Sequence, residues 1–198
     1  MKFAAIDFET ANTSDESICA AGLVLFEDGK LVESRYWLIR PPKGFGWFRE
    51  DWTAGCHGLS HLDVHSAPEF PAIAREFFTR LSGAGIVVAH HAQFDMRKLC
   101  ATAAHFGLEI PAFEYLCTYR LAEGLWPELP NHRLSTVAAH IGHEFQHHHA
   151  AADAEAAGRI MLAMINAMQA AGPRALAEAL GMQPTSIHGG EQPANAAN

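Results

Sequence analysis

Asp28-Gly29 stands between two β-rich runs in SICAAGLVLFEDGKLVESRYWLIRPP, residues 17–42. Asp-Gly favours the positive φ angles of a two-residue hairpin, so the runs pair antiparallel. Pro41-Pro42 ends the second run. With the apolar stretch at residues 3–9 this predicts an antiparallel meander of three strands. The pattern then changes. After a long Gly-, His- and aromatic-rich loop over residues 44–70, helical periodicity runs over 69–83 and stops at Gly83-Ala84-Gly85. GIVVAHH (85–91) is a short, wholly apolar strand. Residues 93–107 form an amphipathic helix closed by Gly107, and 113–127 begin as a strand and turn into a helix before Pro127. Helices follow at 134–142, 150–172 and 173–181. A meander followed by strands alternating with helices is α/β.

The bounds are those of one soluble domain. The chain has 198 residues, long enough for a real core, with 49% hydrophobic and 18% charged residues. No apolar run approaches the roughly 20 residues of a membrane span. MKFAAIDFE meets an acid too early for a signal peptide, and no membrane association is expected. Cys19, Cys56, Cys100 and Cys117 are scattered with no CxxC pair. They read as small buried hydrophobes in a reducing compartment, by default the cytoplasm, and not as a zinc or disulfide framework. A net charge of −8 argues against tight nonspecific duplex binding. It suits an acidic site that recruits divalent cations, which then meet a phosphate. From residue 183 onward the chain has Gly, Pro, Asn and Ala without Lys or Arg, and disorder is expected over 183–198, leaving 1–182 as the domain.

The chemistry sits in three acidic segments. In AAIDFETAN (4–12), Asp7 and Glu9 are two residues apart, so within a strand they share a face. Like charges that close repel unless a cation lies between them. A strand ending at Ile6, with both acids in a solvated turn, is the competing reading. Asp95 follows the apolar strand at the start of a helix, and Asp153 lies in the first turns of the Ala-rich helix, five residues after His148. Acids at strand ends and helix starts converge at one edge of an α/β sheet. Four carboxylates in one cleft suit hard divalent cations, Mg²⁺ or Mn²⁺. Four of the thirteen histidines fall within residues 143–149. On a regular helix His149, not His148, would share a face with Asp153.

AIDFETAN, VVAHHAQFDMRKL and HHAAADAEAAGRI resemble, in order and spacing, the three motifs of the DEDDh (DnaQ-like) 3′–5′ exonucleases. HGLSHLDVHSAPEF and TYRLAEGLWPELPNHRLSTVAAHIG are also family-like, and the resemblance covers roughly residues 1 to 170. It implies a ribonuclease H-like fold, a mixed central sheet flanked by helices. It implies a two-metal exonuclease releasing nucleoside 5′-monophosphates from the 3′ end of single-stranded DNA, with RNA as the alternative substrate. A third reading is a non-catalytic nucleic-acid- or polymerase-binding module. A polymerase or repair complex is the implied setting. By the resemblance Asp7, Glu9 and Asp153 would hold the metal that binds the attacking water, and Asp7 with Asp95 the second. His148 would be the general base, on the family's H-x₄-D spacing. Thr10, His57 and Leu59 match places that contact the terminal nucleotide. The family commonly has Asn where this chain has His91. His143 and His147 read as solvated, Phe8 and Phe94 as core, and Trp47, Phe48 and Trp52 as anchors of the long loop.

Overall fold

The computed structural model describes residues 1–49, 53 and 56–188. The strands are β1 (Lys2–Thr10), β2 (Ile18–Glu27), β3 (Lys30–Leu38), β4 (Ile86–Ala89), β5 (Phe113–Cys117) and β6 (Thr185–Ile187). They form one sheet in the order β3-β2-β1-β4-β5-β6. β1, β2 and β3 make the antiparallel meander, β4 joins β1 and β5 in parallel, and β6 closes the far edge antiparallel. The mixed sheet is the one expected. Asp28 and Gly29, at φ 49° and 78°, make the β2–β3 turn as their residue types dictate.

The helices are α1 (His61–Val64), α2 (Pro71–Ser82), α3 (Ala92–His105), α4 (Thr118–Leu125), α5 (Leu134–His140), α6 (Ala150–Met168) and α7 (Pro173–Ala179). Among the described residues, no helix is long and apolar enough to cross a membrane. α1 is a single turn inside the predicted loop. The Asp63 carboxylate accepts from the Ser60 backbone N–H (2.7 Å) and hydroxyl (2.6 Å), the local pairing that starts it.

Alternation along β1 sorts its side chains to two cores. Ala4, Ile6 and Phe8 face Phe70, Phe77 and Leu81 around α2 and Met96, Leu99 and Ala103 of α3. Phe3 and Ala5 face α6, through Ala154, Ala157, Ile160 and Met161. Period 2 therefore puts Asp7 and Glu9 on the α6 side. Small residues let that helix lie close to the sheet. A Cβ at Gly22 would stand 2.1 Å from the Ala150 carbonyl oxygen, and one at Gly158 would stand 2.1 Å from the Phe26 ring.

Three expectations are corrected. Thr185–Ile187 pairs with β5, so the folded unit continues past residue 182; residues 189–198 lie outside the described set. Phe94 is not core. It is 36% exposed, with Lys98 Nζ 5.1 Å from its ring centroid. Trp47 is 52% exposed, although its carbonyl accepts from Asn12 Nδ2 at 2.7 Å; Phe48 packs against the small cluster of Ala11, Cys19 and Val64. Trp52 lies outside the described residues.

Candidate active site

β1 continues through Thr10, so Asp7 and Glu9 both lie in the strand, opposite Gly22 and Ala20 of β2. The solvated-turn reading is set aside by that pairing. β4 pairs β1 only at Ala4 and Ala5. Beyond that point the β1 edge faces the start of α3, and the Phe8 N–H donates to Asp95 Oδ1 at 3.1 Å. This bond anchors Asp95, 1% exposed, beneath the strand end.

Asp153 enters from the other side. Gly22 admits the first turn of α6 over β2, and Asp153 Oδ2 accepts the His148 backbone N–H at 3.0 Å. Its Oδ1 accepts from His147 Nδ1 at 3.0 Å. His147 is therefore not merely solvated. His148 has φ 64°, and this left-handed residue breaks the chain before α6. His149 is then the N-cap and not a helical residue. Its Nδ1 accepts the Ala152 N–H at 3.4 Å and its ring stacks on Tyr36 at 4.4 Å, away from Asp153. The shared-face argument for His149 fails because it assumed a helix one residue too early.

Asp7, Glu9 and Asp153 offer carboxylate oxygens all within 4.8 Å of one another. With Phe8, His90, His91, Arg133, Leu134, His147 and His148 they line a cleft of about 240 Å³. Burial and mutual repulsion raise the pKa of each acid. Asp7 is pushed well up by desolvation, then by Asp95, Glu9 and Asp153. Glu9 is pushed to about 8 by desolvation and Asp153. Desolvation also raises Asp95 and Asp153, the latter opposed by His147. Buried oxygen donors that repel one another are a donor set for a hard divalent cation, which would remove the repulsion. The residues present fit such an ion.

His148 is half-buried. Desolvation lowers its pKa, His147 adds to the effect and Asp153 opposes it, leaving a neutral ring able to take a proton. Its Nδ1 lies 3.1 Å from Cys56 Sγ, so Cys56 is no simple buried hydrophobe. Cys19 and Cys100 are buried as expected, and Cys117 is half-buried. His57 and Leu59 come together with Thr10. The Leu59 N–H donates to His57 Nδ1 at 3.0 Å, which leaves Nε2–H to donate to the Thr10 carbonyl at 3.1 Å.

Sequence reasoning missed His90, Arg133, His147, Cys56 and Gly22. His90 Nε2 donates to the His132 carbonyl at 2.8 Å and Nδ1 meets the Thr118 hydroxyl at 2.9 Å. Burial drives its pKa to about 4, so it stays neutral and pins the segment that carries Arg133. A signal existed for Gly22, since a glycine inside an apolar strand marks a close backbone approach. His91 has φ 63°, a conformation that Asn and His adopt more readily than most residues.

Fold and cleft define an α/β domain with a carboxylate site of the kind that suits divalent metals. A family model described as exonuclease (RNase T) matches residues 5–161. The chain is 32% identical over 166 residues to the PolC-type DNA polymerase III of Oceanobacillus iheyensis, covering 82% of this chain and 11% of the relative. It is 30% identical over 173 residues to the 3′–5′ exonuclease DinG of Bacillus subtilis, covering 85% and 18%. The chain thus spans less than a fifth of the length of these relatives. Exonuclease X in complex with 5′-overhanging duplex DNA superposes with a TM-score of 0.71 at 22% identity, covering 90% of this chain and 99% of that one. The nuclease domain of 3′hExo, a DEDDh family member bound to rAMP, gives 0.69 at 17%, covering 84% and 92%. The chain belongs to the exonuclease family that this family model describes, and it shares its fold with these solved structures.

Proposed function

We propose that the protein removes nucleoside 5′-monophosphates from the 3′ end of single-stranded DNA, by hydrolysis that depends on two divalent cations, Mg²⁺ or Mn²⁺. The observation that carries this is the meeting of Asp7, Glu9 and Asp153 with the His148 imidazole in one cleft. Asp7, Glu9 and Asp153 would hold one ion, and Asp7 with Asp95 the second. When bound, the ions would supply positive charge to offset that of the phosphodiester and its departing oxygen. His148, neutral near pH 7, would take the proton of the attacking water onto a ring nitrogen as the new O–P bond forms and the bond to the 3′ oxygen breaks. Arg133 lines the cleft among acids and would meet a phosphate oxygen of the substrate. Thr10, His57 and Leu59 would flank the terminal nucleotide.

A net charge of −8 and a cleft in which Arg133 is the cationic lining residue favour one flexible strand over a duplex. The PolC-type DNA polymerase III relative supports DNA as the substrate and a polymerase complex as the setting. The test is direct. Purified protein with Mn²⁺ or Mg²⁺ is offered labelled single-stranded DNA, blunt duplex DNA and RNA in parallel. The single strand should shorten fastest. Faster loss of RNA would reassign the substrate, and no loss of any of the three would point to a binding module.

A further inference from the structure

Cys56 stands beside the cleft with a chemistry the exonuclease reaction does not call on. Its Sγ lies 3.1 Å from His148 Nδ1, and Glu9, Cys56 and His148 each offer a ligand atom within 4.8 Å of the others. Tetrahedral zinc, with Zn–S near 2.3 Å and Zn–N near 2.0–2.1 Å, sets sulfur and nitrogen about 3.6 Å apart. The pair already stands close to that separation, and the Glu9 carboxylate, within 4.8 Å of both, would close in by at most about 1.4 Å. This set differs in kind from the three carboxylates. A thiolate and an imidazole select zinc over magnesium, which prefers oxygen alone.

We propose that Glu9, Cys56 and His148 form a zinc site that switches the exonuclease off. Binding turns the Cys56 thiol into a thiolate ligand, and its proton leaves to solvent. A sulfur pair, a ring-nitrogen pair and a carboxylate pair are donated to Zn²⁺, leaving a fourth position for water. The ion thereby takes His148 away from proton transfer and Glu9 away from the magnesium donor set. The inhibition, though not the binding, rests on the roles proposed above for those two residues.

Two measurements separate these parts. The full chain is titrated with Co²⁺, whose thiolate charge-transfer absorption in the near ultraviolet reports a bound sulfur. Wild type and Cys117→Ser should show the band, and Cys56→Ser should lose it. Ser keeps a hydroxyl for the His148 hydrogen bond, so Cys56→Ser should retain Mg²⁺-supported activity within a few-fold. It should also need at least tenfold more buffered Zn²⁺ for half-inhibition than wild type. Absence of the band in wild type, or its survival in Cys56→Ser, overturns the site. A band that depends on Cys56 together with equal zinc sensitivity in both proteins overturns the switch and leaves the site standing. If the protein has no nuclease activity, the cobalt titration still decides whether zinc chemistry resides here.

Discussion

Gly22→Ala should disable the site without touching any residue proposed to do chemistry. Gly22 pairs with Asp7 across the β1–β2 ladder, and the first turn of α6 rests on it. The new Cβ would lie 2.1 Å from the Ala150 oxygen, 2.2 Å from its carbonyl carbon and 2.5 Å from the Ala151 nitrogen. All three are backbone atoms, so no side-chain rotation relieves the clash. Non-bonded heavy atoms settle at about 3.5 Å, so the start of α6 must retreat by about 1 Å or slightly more. His148 and Asp153 ride on that segment. A 1 Å misplacement in an active site costs about 10²-fold in rate, and overpacking costs about 1–3 kcal/mol of stability. At this chain length that lowers Tm by about 2–12 °C. The assay is kcat on single-stranded DNA at saturating Mn²⁺, with thermal unfolding to show that the variant is folded. Gly158→Ala is the control. Its Cβ meets the buried Phe26 ring at 2.1 Å, side-chain atoms five residues along α6 from Asp153, so stability should fall while the rate falls less than in Gly22→Ala. A folded Gly22→Ala enzyme with the wild-type kcat would refute the claim that this backbone contact sets the catalytic geometry.

Four further outcomes follow from the site. The raised carboxylate pKa values mean that the native state without metal holds protons the unfolded chain has already released. Stability in EDTA should therefore fall as pH rises from about 4.5, the ordinary glutamate value, through about 8 for Glu9, by a few kcal/mol. Melting curves across that window check it: Asp7→Asn or added Mn²⁺ should flatten the decline, and a stability that rises with pH contradicts it. His148→Ala should lose about 10²–10⁴ in rate with metal affinity intact, and the acidic limb of its pH–rate profile should vanish. His149→Ala should lose its cap on the Ala152 N–H and its stacking on Tyr36, about 1–2 kcal/mol together, and stay within a few-fold in rate. Arg133→Ala should raise KM about tenfold with kcat nearly unchanged, the scale of one charge-assisted hydrogen bond; an unchanged KM would remove Arg133 from substrate binding.

Much of the fold is legible because local chemistry and global architecture agree. Asp28-Gly29 can make its turn wherever the chain places it, and the 3.6-residue periods of α2, α3 and α6 report which faces meet the sheet. β6 escaped notice because three residues carry no periodicity; its place depends on β5 offering an open edge. In the site, the shared face of Asp7 and Glu9 could be read directly from strand geometry. The His147–Asp153 and Cys56–His148 contacts could not, since the first needs a left-handed His148 and the second also a long loop that brings Cys56 to it. That loop is tied down by Asn12, whose Nδ2 donates to the Phe45 and Trp47 carbonyls, a long-range pairing with no local signature.

The measurement that bears most directly on the central claim uses a 5′-labelled single-stranded oligonucleotide and identifies the released product by chromatography. With Mg²⁺ or Mn²⁺ the labelled strand should shorten from its 3′ end one nucleotide at a time, each step releasing a nucleoside 5′-monophosphate. In EDTA, and in the Asp7→Asn and His148→Ala variants, it should stay intact or nearly so. Full turnover by metal-free protein in EDTA, internal cleavage, or products with a 3′ phosphate would contradict the account.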